Sequence, residues 1–219
     1  MRQSLAIVVL CLIAALPGAQ TRPAADALAR SLQQRYQGIR DFSAEFVHSY
    51  RGGVLHKQVT ERGTVSIKKP GMMRWEYTQP EKKTFVSDGR KIYSYIPADR
   101  QVMISAVPPD DEAPMPTLFL AGKGDVTRDF TASNAPSSPA GTYGLKLAPK
   151  RSETDYDYLV VHLDPSTLQI RGLLTVDQQG GESSFVFTNM KENRGLADKE
   201  FAFRIPRGVD VVTDDKAAR

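Results

Sequence analysis

Residues 63–102 read GTVSIKKPGMMRWEYTQPEKKTFVSDGRKIYSYIPADRQV, and the fold class follows from their periodicity. Short runs alternate apolar or aromatic residues with polar ones, and Pro or Gly bounds each run. Period-two alternation places Val65 and Ile67, then Met73, Trp75 and Tyr77, then Phe85, then Ile92 and Ile96 on one face of an antiparallel sheet. Asp88-Gly89 between two such runs is a strong short-range hairpin signal. The stretch holds no nucleophile with a base, metal cluster or phosphate loop. It offers a broad apolar surface.

The same rhythm extends outward. Phe42, Ala44, Phe46, His48 and Tyr50 alternate with polar neighbours, and further strands are expected near 57–68, 72–79, 83–88, 91–96 and 101–106. Beyond a flexible loop at 133–141, strands resume near 142–149, 157–164, 168–177 and 182–191. Ten or eleven short strands at this spacing mark a mainly β (α+β) protein built on one large antiparallel sheet or barrel. Residues 24–37 form an amphipathic helix with Leu28, Leu32 and Tyr36 on one face, ended by Gly38. Between the two strand groups, 107–123 carries Pro108, Pro109, Pro114 and Pro116, which exclude a central strand. A short apolar helix is expected over 114–122, presenting Met115, Leu118 and Phe119 and stopping at Gly122.

The chain has 219 residues, enough for one domain with a real core. Arg2 followed by the apolar run Leu5 to Leu16 and Pro17-Gly18-Ala19 reads as a secretory signal, so residues 1–19 are expected to be cleaved. That leaves 20–219 as a single domain, with no repeat and no linker. The run is shorter than the ~20 residues a spanning helix needs. The only cysteine, Cys11, lies within it, and Leu10 before it argues against lipid attachment. A cysteine-free exported chain fits the periplasm. The formal charge of +4 is carried by scattered residues, whereas nucleic-acid binding wants a concentrated basic stripe.

Enzyme readings find little support. Ser66 to Lys69 spells Ser-x-x-Lys, but on a strand rather than on the helix that acyl-enzyme chemistry requires. His48, His56 and His162 lack the pair spacing of a zinc site. Asp110-Asp111-Glu112 reads as a solvated turn.

The aromatic face has two readings. Phe42 and Phe46, Val65 and Ile67, Met73, Trp75 and Tyr77, Phe85 and Ile92, and Phe185 and Phe187 either form an ordinary core or line a ligand cavity. A sheet of ten strands curls, and its concave side exceeds what two short helices fill. Segment 114–122 is either a lid or a surface loop with one buried turn. Lys69, with Lys68, either is solvated or donates to lid carbonyls. Arg74 reads as a solvated charge.

Several ordered motifs carry a resemblance. They are Phe42-x-Ala44-x-Phe46, then Gly63, Val65, Lys68 and Pro70, then Arg74-Trp75, Gln79-Pro80, Val86 to Gly89, and Tyr95 with Pro97. Pro116-Thr-Leu-Phe-Leu follows, with Phe201, Phe203, Pro206, Gly208 and Val209 at the end. This order resembles the outer-membrane lipoprotein carrier proteins, LolA, over nearly all of residues 20–219. The resemblance implies an open, incomplete β-barrel of about eleven antiparallel strands capped by short helices. It implies a non-enzymatic periplasmic chaperone that binds lipoprotein acyl chains. Such a carrier loads from an inner-membrane lipoprotein-release ABC transporter complex, delivers to an outer-membrane acceptor and works most simply as a monomer. It also implies that 114–122 is a lid and that the residue before Pro70 latches it. The family commonly has arginine there, and this chain has Lys69, a point charge instead of a planar fork. A carrier of another amphiphile, such as a glycolipid or phospholipid, and a periplasmic lipid-sensing module are the alternatives.

Overall fold

The computed structural model describes residues 22–52, 58–107, 120–122, 124–151 and 156–214. Helix α1 (Ala25–Gln37) precedes strands β1 (Asp41–Arg51), β2 (Gln58–Lys68), β3 (Met72–Gln79), β4 (Lys83–Asp88), β5 (Lys91–Ile96) and β6 (Gln101–Ala106). A one-turn helix α2 (Val126–Asp129) leads into β7 (Phe130–Asn134), β8 (Tyr143–Pro149), β9 (Tyr158–Leu163), β10 (Ile170–Val176) and β11 (Glu182–Glu192). A 3-10 turn (Asp198–Phe201) and β12 (Asp210–Thr213) follow.

These twelve strands share one sheet, in the order β12-β6-β5-β4-β3-β2-β1-β11-β10-β9-β8-β7. The chain starts at the sheet's centre and steps outward to β6 through successive antiparallel hairpins. It then crosses to the far edge at β7 and steps back until β11 pairs with β1. The outermost strands β7 and β12 are not neighbours, so the sheet curls without closing. Irregularities in pairing at Ser43/Glu45, Arg62/Gly63 and Ile170/Gly172 add bend and twist.

Most expected elements are present, with three differences. The described residues form twelve strands rather than about eleven, and β12 pairs with β6 in parallel. Four residues, Asp-Val-Val-Thr, are too few to announce a strand by alternation, and their pairing depends on where the tail travels. Strand β7 takes Ser133 and Asn134 from the region read as a loop. Its polar sequence FTASN suits an edge, and Asp125 caps the preceding turn by accepting from the Thr127 and Arg128 amides, both at 2.8 Å.

The helix and segment 120–121 sit in the concavity. No side chain caps the start of α1. Its anchorage comes from burying Leu28, Ala29, Leu32 and Tyr36, where each leucine contributes about 1.5–3 kcal/mol. Arg35, in the last turn, reaches Glu192 at 2.9 Å and the Thr167 carbonyl at 2.5 Å, which ties the helix to the sheet. One continuous core joins α1, Leu120, Ala121 and Val126 to the inner faces of β1–β3 and β8–β11.

A smaller apolar layer lies on the opposite face. Val86, Val102 and Phe201 are buried there, and Phe203 stacks on Tyr93 at 5.3 Å. Arg74 belongs to this layer and is not the solvated charge expected from its strand position. Its guanidinium donates to the Glu200 carbonyl at 2.7 Å and the Ala202 carbonyl at 2.9 Å, clamping the tail across β3. Lys68 assists by donating to the Leu196 carbonyl at 2.8 Å. Tail carbonyls facing an outward strand position are a long-range match that alternation does not encode.

Gly63 is closely enclosed by backbone and an aromatic ring. A β-carbon there would stand 2.1 Å from the Glu76 carbonyl oxygen and 2.8 Å from the Phe46 ring. The carbonyl belongs to the β2–β3 ladder and the ring is held by Trp75 and Tyr77, so neither can yield cheaply. Gly63→Ala is expected to cost about 2–3 kcal/mol by urea unfolding. A variant as stable as wild type would show that β2 is free to shift.

Candidate functional site

Register builds the inner face in rungs. Ala44, Val65, Trp75 and Phe85 are successive cross-strand partners from β1 to β4. The next rung toward the C-terminus of β1 is Phe46, Gly63, Tyr77 and Lys83, and the next toward its N-terminus is Phe42, Ile67, Met73 and Ser87. From the other side, β11 sets Phe187 opposite Phe46 and Phe185 opposite His48. Paired residues share a face, so aromatic side chains from four strands converge over Gly63.

Phe46 is the hub. Its ring centroid lies 5.1 Å from Trp75, 4.9 Å from Tyr77 and 5.8 Å from Phe185, all edge-on. Trp75 also meets Phe185 at 5.2 Å, and Tyr77 meets Phe85 at 5.7 Å. Edge-to-face pairs at these separations add to simple burial. Of the residues named from sequence, Phe42, Phe46, Val65, Ile67, Met73, Trp75, Phe185 and Phe187 belong to the buried core, and Tyr77 and Phe85 pack against it half-exposed. Ile92 shares the face, opposite Ser87, but is only half-buried and stands outside this cluster.

A polar group ends the aromatic run. His48 Nδ1 lies 3.2 Å from Glu61 Oε2 and its Nε2 lies 2.9 Å from the Ser183 hydroxyl. Lys83 donates to the other Glu61 oxygen. Burial is the main reason the His48 imidazole is held below its usual range, despite the opposing pull of Glu61. The neutral ring then donates through Nδ1 to the carboxylate and accepts from Ser183 through Nε2. Burial, with Glu61 nearby, pushes the Tyr77 phenol upward. By sequence spacing His48 is an isolated histidine, and its partnership with Glu61 emerges only in the fold. Strand parity holds the signal: His48 alternates with Phe46, Glu61 with Gly63, and Lys83 with Phe85. Among the described residues no cluster could hold a metal ion.

The other end of the face meets α1 and segment 120–122. Lys69 donates to the Tyr36 carbonyl, and its ammonium sits 3.9 Å from the centre of the Tyr36 ring. The Lys69 stem lies against Gly122, where a β-carbon would come within 2.4 Å of Cδ. Two bonds hold the neighbouring segment, one from the Tyr36 hydroxyl to the Leu120 carbonyl and one from the Gly71 amide to the Ala121 carbonyl at 2.9 Å. The bonded contact of Lys69 is thus with the helix, whereas Tyr36 and Gly71 bind 120–121. Met115, Leu118 and Phe119 lie outside the described residues. Beside Phe42, Tyr36, Ile39, Ile170, Met190 and Glu192 line a cleft too narrow to admit a water molecule.

Residues 37–204 match a family model described as outer membrane lipoprotein carrier protein LolA. The outer-membrane lipoprotein carrier protein of Hahella chejuensis is 29% identical over 181 residues, covering 81% of this chain and 84% of that protein. The one from Neisseria meningitidis serogroup C is 32% identical over 160 residues, covering 72% and 74%. An uncharacterized conserved protein from Thermus thermophilus shares the fold, with a TM-score of 0.54 at 14% identity over 85% of this chain and 99% of that one.

Two outcomes are expected at the helix end. Tyr36→Phe leaves the Leu120 carbonyl without its hydroxyl donor. It should cost about 1–3 kcal/mol and speed amide exchange at 120–122, read by hydrogen-exchange mass spectrometry. Burial lowers Lys69 from 10.5 to about 8. Between those values the unfolded chain binds more protons than the folded one, so this residue's contribution makes stability rise with pH from about 8 toward 10. The rise should vanish in Lys69→Met, and equal pH profiles for the two proteins would show that Lys69 is solvated.

Proposed function

Because the chain belongs to the LolA family of outer-membrane lipoprotein carrier proteins, we propose that its inner aromatic face receives the acyl chains of lipoproteins in transit. The observation that carries this reading is the convergence of Phe46, Trp75, Tyr77, Phe85 and Phe185 on one face of a sheet that never closes. An open sheet can widen without breaking a strand pair, which a closed barrel cannot do.

The energetics suit a shuttle. Three acyl chains of roughly 15 methylenes each, at about 0.8 kcal/mol per methylene, give on the order of 36 kcal/mol against water. That exceeds the practical limit of about 18–21 kcal/mol for non-covalent binding. The relevant exchange is between bilayer and trough, two apolar surroundings whose contributions nearly cancel. A carrier needs that near balance, because a cargo held at the limit would never leave.

The face forms one packed core with α1 and segment 120–121, so loading requires movement. Segment 114–122, with Leu118 and Phe119, acts as the lid, and Leu120 is its buried end. Opening breaks the Tyr36–Leu120 and Gly71–Ala121 bonds, at about 0.5–1.5 kcal/mol each, and exposes Leu120. Lys69 acts as a latch at one remove by fixing the end of α1 from which Tyr36 reaches. The cycle runs in the periplasm after removal of residues 1–19, from an inner-membrane ABC-type release complex to an outer-membrane acceptor.

Native mass spectrometry of the protein purified from periplasm, with extraction of its lipids, tests the reading. A mass increment matching an acylated protein supports it, and free phospholipid or glycolipid alone would assign a different cargo. Phe85→Glu places a charge in the half-exposed part of the face. It should weaken binding of an acyl-chain fluorophore at least about tenfold while the fold persists by circular dichroism.

A further inference from the structure

Among the described residues the trough contains a fully buried donor with no partner. Trp75 is 3% exposed, and its indole Nε1 is buried with no hydrogen-bond partner among the described residues. An indole N–H can only donate, and a buried one ordinarily finds an acceptor. The rings around it, Phe46, Phe185 and Phe187 at 5.1, 5.2 and 6.3 Å, carry no acceptor atom. Its rung neighbours Val65 and Phe85 offer none from their side chains.

Nearby polar side chains on the same face are already engaged. Ser87 donates its hydroxyl to the Gly71 carbonyl at 2.7 Å, and Glu61 is bound by Lys83 and His48. A phenylalanine would supply much of the same apolar surface without stranding a donor. The indole therefore places a buried, directed polar group among the aromatic rings of the face.

We propose that the Trp75 N–H is reserved for a carbonyl oxygen of the cargo's acyl linkage, ester or amide. Resting on the carrier reading, this gives the trough a chemical selectivity that hydrocarbon burial lacks. A carbonyl entering the trough must give up its water, and the stranded donor offers replacement at no cost to any existing bond. An ether-linked chain of equal length keeps only the bridging oxygen and brings no acceptor to the position of the carbonyl oxygen. Lipopeptides and ester phospholipids share the carbonyl, so the indole distinguishes acyl linkages from other lipids and not these two from each other.

The test uses three probes of matched chain length: a synthetic triacylated lipopeptide, a diacyl phosphatidylethanolamine, and the dialkyl-ether form of that phospholipid. Trp75 is the only tryptophan in the chain, so a single indole N–H cross-peak appears in the ¹⁵N spectrum. That peak should move downfield with both carbonyl-bearing probes and not with the ether lipid. Wild type should prefer the ester over the ether phospholipid by about five- to tenfold, and Trp75→Phe should erase that preference, with ester binding falling by more than ether binding. An indole resonance that responds identically to ester and ether, or a preference that survives Trp75→Phe, overturns the proposal. Equal loss of both lipids in Trp75→Phe would assign the indole to packing alone and also overturn it. The spectrum needs no variant, so a poorly folded Trp75→Phe does not block the test. If wild type binds none of the probes, the carrier reading itself fails.

Discussion

Phe46 can lie flat over β2 because Gly63 has no side chain, and much of the inner face is arranged around that contact. The ring occupies the space a β-carbon would take, within 2.8 Å of its position. Trp75, Tyr77 and Phe185 then close around the ring from β3 and β11. Since β1 is the strand that joins the outgoing and returning halves of the sheet, Phe46 also ties those halves together by its side chain. An aromatic hub at the seam lets the sheet curl around one centre while its outer strands remain apart.

The two ends of this face differ in chemistry. At one end His48, Glu61, Ser183 and Lys83 satisfy one another, which makes a buried carboxylate tolerable next to aromatic rings. At the other, Lys69 leans on Tyr36 and Tyr36 reaches Leu120, so the ammonium acts on the segment through a helix end while the Lys69 stem packs against Gly122. The polar end is locked by mutual charge. The helix end rests on a few hydrogen bonds and a lowered lysine, which makes it the easier place to open.

Most of the fold class was legible because strand alternation and Pro/Gly punctuation are local. Val65, Trp75 and Phe85 share a face in the structure as their spacing requires, and α1 buries Leu28, Leu32 and Tyr36 as its period requires. The elements that escaped were short or polar. Strand β7 alternates only Phe130 and Ala132 before turning polar, and β12 has four residues paired in parallel with a strand about a hundred positions earlier. Arg74 looked solvated because its partners are carbonyls of a distant tail.

The candidate site divides along the same line. Which residues point inward is a matter of parity, so the residues of the inner face could be named from spacing, and all of them but Ile92 join or pack against the core. Which inward residues touch each other depends on register between strands far apart in sequence. His48 meets Glu61 across one hairpin and Ser183 across the central seam, and neither contact is visible in any local pattern. The stranded Trp75 donor belongs to the same class, since its lack of a partner among the described residues shows only in the packed molecule. Periodicity is written residue by residue along the chain, whereas hydrogen-bond satisfaction belongs to the packed molecule as a whole.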